Sequence, residues 1–502
     1  MILTAHHITL CRQMSCRLFY FCLLSTCFGF ITPSLVNATE LNFKPCSLTG
    51  SGGNGNLNAL CATFQQPLDH QQPDGPQLDL QVVKIPSTAI EPATDAFTII
   101  NGGPGGSSID LLVDLGGLIQ TFTRERDVIV VDQRGTGRSA PLTCPDIVDS
   151  ADEPSLEETV ALTQQCLDAL PFDPTFFTTT VAVNDLETLR LTLGYDQLSI
   201  YGVSYGTRVA QQFARQYPNS TRAIVIDGVV PADEVLGKQI AIHSNDALLS
   251  VFARCEASPP CTEAFPDLRQ DFAELSHTLK TQPPILTIQD PVTDEPTELT
   301  LTYGHMAAWL RFALYSPEMT SLIPLIINQA AQQQRYVPVA ANAIALINNI
   351  TTALNYGMHN AVLCTEDAPY FSHTTQELEQ LEQTYIGAEM YQTIEAMCSI
   401  WPKGTMHADM KVPLETDIPT LVLSGEHDPI TPSSWGDAVM PGLSFAKHIV
   451  VPHQGHGTIA RGCVPKLILE FIEQGDPTTI DDSCTQFIHE QPFFINNMGP
   501  LP

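Results

Sequence analysis

The residues with the clearest chemical potential lie in Gly202-Val203-Ser204-Tyr205-Gly206, which follows a short apolar run and precedes an amphipathic stretch of helical length. A Gly-x-Ser-x-Gly at a strand-to-helix junction forces the serine into a strained turn that projects its hydroxyl, and small flanking residues keep the turn uncrowded. A serine hydroxyl is a weak nucleophile until a base takes its proton, and the oxyanion formed by its attack needs preorganised donors. Such donors are expected from Asn101-Gly102-Gly103-Pro104-Gly105-Gly106, after the apolar run that ends at Ile100. The backbone N–H groups of Gly103 and Tyr205 are assigned as the oxyanion hole, with Gly102 as the neighbouring alternative. A dinucleotide phosphate loop would need Gly-x-Gly-x-x-Gly and an acidic residue about 20 positions on, a spacing this loop does not keep.

The acid and the base should follow the serine in that order. Two further apolar runs lead into Ser424-Gly425-Glu426-His427-Asp428-Pro429 and Pro452-His453-Gln454-Gly455-His456-Gly457. Both loops leave the carboxyl ends of strands, where ligands bind in open α/β sheets. Asp428 is therefore assigned as the acid and His456 as the base, with Ser204 as nucleophile. The rivals are Asp227, which precedes Gly228 and reads as a turn residue, and His453, which reads as a loop hydrogen-bonder. His427 is expected to point away from Asp428.

Such residues require a scaffold that brings several strand ends together. Short apolar runs at residues 97–100, 127–131, 198–201, 223–226, 420–423 and 448–451 alternate with helical stretches such as 181–193 and 207–216. This alternation predicts an α/β fold with a mostly parallel sheet covered by helices on both faces. From about residue 232 to 415 the strand signal gives way to helical segments such as 322–334 and 375–385, which predicts a helical cap inserted after the sixth core strand. The Pro-rich stretch 282–296 is expected to be a loop within that cap. The resulting organisation is residues 1–38 as a signal peptide, 39–231 as the first part of the core, 232–415 as the cap, and 416–502 as the part carrying acid and histidine.

Arg12 and Arg17 precede an apolar run over residues 18–31, and Val36-Asn37-Ala38 supplies the small residues of a cleavage site. Met14 serves equally well as a start. The run is shorter than the roughly 20 residues that span a bilayer, so stable membrane insertion is not expected. A lipoprotein box ending at Cys27 is the minority alternative. Four of the 14 cysteines fall in this segment, leaving ten that neighbour one another in sequence as 46/61, 144/166, 255/261, 364/398 and 463/484. Local disulfides in an oxidising compartment follow, and the expected location is secreted or periplasmic. No Cys-x-x-Cys and no His-Glu-x-x-His is present, so neither a metal nor another cofactor is expected. With 23 basic against 55 acidic residues and a net charge of −32, nucleic acid is excluded as a natural partner.

The segments 101–107, 127–139 (Asp-Val-Ile-Val-Val-Asp-Gln-Arg-Gly-Thr-Gly-Arg-Ser) and 202–206 resemble the prolyl-iminopeptidase group of α/β-hydrolases. Gly-Glu-His-Asp-Pro-Ile-Thr-Pro, ending at Pro432, together with Gly455-His456-Gly457, is similar to the secreted tripeptidyl-aminopeptidase branch. Asn101 departs from the histidine common before Gly-Gly-Pro-Gly, a change that touches the geometry of the loop and not the chemistry. The resemblance implies an exported serine exopeptidase that releases a single residue, a dipeptide or a tripeptide from peptide substrates with a free N-terminus. Such an enzyme must hold an ammonium group, and a carboxylate is the direct means. Cys364-Thr365-Glu366-Asp367 corresponds to a stretch that recurs in related sequences, so Glu366 is expected to be the anchor, with Asp367 as alternative. Asp132 and Arg134 are read as structural, the arginine pairing with a carboxylate. An esterase or lipase of small acyl esters is the rival enzyme reading, and a non-catalytic binding protein of the same fold is the rival outside enzymes.

Overall fold

A nine-stranded sheet forms the centre of the computed structural model, which describes residues 41–50, 55–144, 154–289 and 295–500. The expected signal segment and Cys27 lie outside the described residues. In chain order the strands of this sheet are β1 (Lys44–Leu48), β2 (Leu57–Pro67), β3 (Gln77–Ile85), β4 (Ala96–Ile100), β5 (Asp127–Val131), β6 (Leu198–Val203), β7 (Thr221–Asp227), β10 (Thr420–Gly425) and β11 (Ala446–Val451). A separate hairpin pairs β8 (Ile285–Gln289) with β9 (Pro296–Thr300). The spatial order is β1-β2-β3-β5-β4-β6-β7-β10-β11. The six strands from β5 to β11 run parallel, and β1, β2 and β3 join them through antiparallel pairings.

The parallel strands inside the edge strand β11 are mainly apolar on both faces because both faces are covered. On one side Ile129, Ile200, Ile224 and Val422 pack with Val209 and Phe213 of the helix Tyr205–Gln216. On the other, Phe97, Ile99, Val130, Tyr201 and Leu423 pack with Leu467, Ile468 and Phe471 of the helix Val464–Gln474. Every residue of β4 is buried. In β2 and β3 apolar and polar residues alternate, as Leu78-Asp79-Leu80-Gln81-Val82 shows, so each buries chiefly one set of alternate positions.

The chain between β7 and β10 is mainly helical, including Lys238–Ala257, Tyr303–Ala313, Val337–Ala353 and Glu389–Ile400. Its helices bury an apolar centre of their own around Leu248, Phe252, Trp309 and Ile327. Two expectations need correction. This segment follows the seventh strand in chain order, one later than expected. The stretch expected to be a loop instead contributes β8, since Ile285-Leu286-Thr287-Ile288 extends and pairs with β9.

Disulfides join Cys46 to Cys61, Cys144 to Cys166, Cys255 to Cys261, Cys364 to Cys398 and Cys463 to Cys484, the five sequence-neighbour pairs. Such bonds form and persist in oxidising compartments outside the cytosol. Among the described residues no helix is long and apolar enough to cross a membrane.

Candidate active site

Ser204 sits between β6 and the helix Tyr205–Gln216 with φ of 57° and ψ of −126°, a conformation an L-residue adopts only when its surroundings impose it. The two glycines of the motif make the turn possible. A Cβ on Gly202 would stand 2.3 Å from the Gly206 carbonyl oxygen, and one on Gly206 2.4 Å from that of Ile100. Ser204 N–H donates to the carbonyl of Asp227 at 3.0 Å, which ties the turn to the end of β7.

The glycine loop after β4 comes against this serine, because a Cβ on Gly102 would lie 2.7 Å from Ser204 Cβ. The Asn101 side chain fixes the loop from within. Its Nδ2 donates to the Ser107 carbonyl at 2.9 Å, and its Oδ1 accepts the Gly102 N–H at 2.7 Å. That bond engages Gly102, the neighbouring alternative, whereas the Gly103 N–H has no partner among the described residues. The inserted segment holds the same loop from outside: Asn355 N–H donates to the Gly105 carbonyl at 3.0 Å, and His359 Nδ1 lies 3.0 Å from the Pro104 carbonyl oxygen. Burial pushes the His359 pKa down to about 4, so this contact is made by a neutral imidazole donating from Nδ1.

His456 Nδ1 lies 2.8 Å from Asp428 Oδ2, which leaves Nε2 free to accept a proton. Asp428 Oδ1 accepts the N–H groups of Ile430 and Thr431, each at 2.9 Å, and Oδ2 accepts the Thr431 hydroxyl at 2.7 Å. Burial opposes the charge on Asp428, but the attraction of His456 and these hydrogen bonds outweigh it and hold the carboxyl below its usual range. For His456 burial favours the neutral ring, yet the attraction of Asp428, its hydrogen bond and the more distant Asp227 charge raise the pKa above 6.5.

The rival residues take other work. Asp227 is fully buried, and its Oδ2 accepts from the Tyr201 hydroxyl, the N–H and hydroxyl of Thr458, and the N–H of Ile459. It therefore fastens the loop that carries His456 rather than contacting the His456 ring. His453, with φ of 59°, donates its N–H to Glu426 Oε2 at 2.8 Å, and its ring neighbours His427. Glu426, His427 and His453 bring their donor atoms within 4.8 Å of one another, a grouping of metal-ligand types that no sequence motif announced.

Ser204, Tyr205, Gly103 and His456 share the wall of one cavity of about 480 Å3, closed by Arg311, Tyr315, Leu354 and Tyr356 from the inserted segment. Glu366 and Asp367 do not line it. Both are fully buried behind Tyr205, in distinct surroundings. Asp367 accepts from Arg208 at 2.9 and 3.2 Å, Lys411 at 2.7 Å and the Leu236 N–H at 3.1 Å, which overcome burial and keep its pKa low. Its charge is already matched by two cations, which leaves it less attraction for a substrate amine than Glu366 has. Among the described residues Glu366 accepts only from Thr179, at 2.8 Å from the backbone N–H and 2.9 Å from the hydroxyl. Burial raises its pKa to about 7 despite the Arg208 charge nearby. The Thr179 hydroxyl lies 2.6 Å from that of Tyr205, which lines the cavity, so two side chains, Thr179 and Tyr205, link the carboxylate to it.

Asp132 and Arg134 are structural, as read. Arg134 pairs with Asp185 through two bonds of 2.6 Å, and Asp132 accepts from Ser107 and from the backbone N–H groups of Ile109 and Arg138. The residues that sequence reasoning missed are Thr431, Tyr315, Asn355, His359 and Arg311. Only the Thr431 position, three residues beyond Asp428, carried a local signal.

Sheet order, turn and loop placement define an α/β-hydrolase. Residues 95–251 match the family described as alpha/beta hydrolase fold, and residues 383–484 match the family described as TAP-like protein. The chain is 25% identical over 415 residues to the serine protease Hip1 of Mycobacterium tuberculosis, covering 75% of this chain and 78% of that protein. It is 27% identical over 188 residues to the tripeptidyl aminopeptidase of Streptomyces lividans, covering 34% and 35%. Carboxylesterase B of M. tuberculosis is 24% identical over 288 residues, 52% of each chain. The protein is thus a serine hydrolase of the α/β-hydrolase fold, similar over most of its length to a serine protease.

Proposed function

We propose that the protein is an exported serine exopeptidase, in which Ser204 attacks the scissile carbonyl, His456 takes its proton and Asp428 orients and stabilises the imidazolium. The N–H groups of Gly103 and Tyr205 receive the oxyanion. His456 Nε2 then returns the proton to the leaving amine, and water hydrolyses the acyl-enzyme by the same route. The observation that carries the reading is the 2.8 Å His456–Asp428 bond beside a strained serine in a shared cavity. The roof supplied by the inserted segment suits a chain end better than a chain passing through. Glu366 supports recognition of a free N-terminus, since it is a buried carboxylate with no direct cation partner among the described residues, and a substrate ammonium would relieve the penalty that raises its pKa. The five disulfides support maturation outside the cytosol, with signal removal near Ala38.

The mainly apolar cavity lining, including Val230, Ile240 and Phe312, favours an esterase as the second reading. Comparing free and N-acetylated peptide p-nitroanilides with short p-nitrophenyl esters separates the two. Free peptides are expected to be cleaved at least tenfold faster than acetylated ones. Equal rates on both would remove the exopeptidase reading, and cleavage of esters alone would establish the second.

A further inference from the structure

The helix Tyr303–Ala313 places a guanidinium in the cavity wall that holds Ser204 and His456. Arg311 has unusual company for an arginine in a chain of 55 acidic residues: among the described residues no carboxylate pairs with it. Its Nη1 lies 3.5 Å from the Met390 sulfur, its guanidinium carbon stands 5.0 Å from the Phe312 ring centroid, and its buried Nε has no hydrogen-bond partner. The other strongly placed arginines contrast with it, Arg134 being paired with Asp185 and Arg208 with Asp367. Removing a cation from water without an anion is costly, so a half-buried, unpaired guanidinium facing a cavity is a site prepared for an incoming one.

Position in the chain connects this charge to the reaction centre. Arg311 lies one helical turn before Tyr315, whose carbonyl accepts the His456 N–H at 2.9 Å and whose ring meets the His456 ring edge-on at 4.9 Å. The cavity wall carries no Asp or Glu among the described residues, so nothing inside competes for the guanidinium. A carboxylate fits its fork through two parallel N–H bonds, and the desolvated surroundings strengthen such a pair.

We propose that Arg311 binds a carboxylate carried by the substrate. For peptides this deepens, and rests on, the peptidase reading: the carboxylate is either the C-terminus of a short peptide or an acidic side chain near the cleaved bond. A C-terminal carboxylate would bias the enzyme toward peptides of a few residues, because longer chains carry that group out of reach.

The test measures kcat/KM ratios in matched pairs. A short peptide with a free C-terminal acid is compared with its amide, and a Glu-containing peptide amide with its Gln counterpart. Wild type is expected to prefer the carboxylate by tenfold or more in one pair, which identifies the source, and added salt should shrink that ratio. In Arg311→Gln the ratio should fall toward one, and in Arg311→Lys it should be partly kept. If no peptide is cleaved, the peptidase reading fails by itself, and the same ratio is read on mono-p-nitrophenyl glutarate against p-nitrophenyl butyrate. Wild type lacking any carboxylate preference in all three pairs, or Arg311→Gln retaining it, overturns the proposal. The wild-type comparison stands even where the Gln variant does not fold.

Discussion

The backbone N–H of His456 donates to the carbonyl of Tyr315 at 2.9 Å, and the two rings meet edge-on with centroids 4.9 Å apart. His456 is thereby held from two sides: by Asp428 of the core and by a residue of the inserted segment. The same segment grips the glycine loop through Asn355 and His359. It holds the loops of the candidate site as well as covering them.

Tyr315→Ala removes the edge-on ring and is expected to lower kcat by about 10-fold, the loss of roughly 1.4 kcal/mol of positioning. Tyr315→Phe keeps the ring and should keep most of the rate. Steady-state kinetics on one ester and one peptide amide check this, and a loss confined to KM would count against a positioning role.

Asp227 and Asp428 should fail in different ways when each is changed to Asn. Asp428→Asn leaves the loop hydrogen bonds largely in place but offers the wrong partner to Nδ1, so kcat should fall by about 10^3 to 10^4 with a near-normal melting temperature. Asp227→Asn loses a charged acceptor of two N–H groups and two hydroxyls, and should cost about 2–4 kcal/mol of stability. Thermal melts alongside kinetics distinguish them, and the reverse pattern would exchange the roles assigned here.

His456 must be neutral to accept the Ser204 proton. Because its pKa is raised above 6.5, activity is lost as pH falls through that raised value, and kcat/KM should show an acid limb with its midpoint above 6.5. A pH profile over pH 5–9 with a midpoint well below 6.5 would contradict the electrostatic account of the pair.

Glu366 makes the opposite kind of statement, about stability. Its folded pKa of about 7 exceeds the ordinary 4.5, so the folded protein pays nothing below pH 4.5 and is progressively penalised as pH rises from there to about 7. Glu366→Gln should therefore stabilise the protein above pH 7, by about 3 kcal/mol, with the difference vanishing below pH 4.5. On substrates, the same variant should lose kcat/KM for free-amine peptides by about 10- to 1000-fold while acyl esters fall far less. Denaturation at pH 5 and pH 8 tests the first statement independently of the second.

What the sequence disclosed followed from how local each signal is. The strands β4 to β7 and β10 are buried on both faces and so read as continuous apolar runs, and β11 at the sheet edge was legible through Ile449-Val450-Val451 although Val450 is exposed. β2 and β3 bury alternate residues and were passed over, although Leu78, Leu80 and Val82 keep a strict period of two. Ser204, Asp428 and His456 were legible because each occupies a loop leaving a strand end within a recognisable motif. Glu366 and Asp367 are neighbours with opposite fates, decided by Arg208 and Lys411, which stand 159 and 44 residues from Asp367 in the chain. The contacts of Tyr315, Asn355 and Arg311 arise only when the inserted helices fold back onto the loops of the core, and no spacing encodes them.

The nucleophile is the claim on which the rest depends, and covalent labelling addresses it directly. Treatment with a fluorophosphonate should abolish activity with one adduct per chain, and peptide mass spectrometry should place that adduct on Ser204. Ser204→Ala should neither label nor turn over substrate beyond about 10^-3 of the wild-type rate while melting normally. An adduct on another serine, or a Ser204→Ala protein that keeps near-normal turnover, would contradict the account.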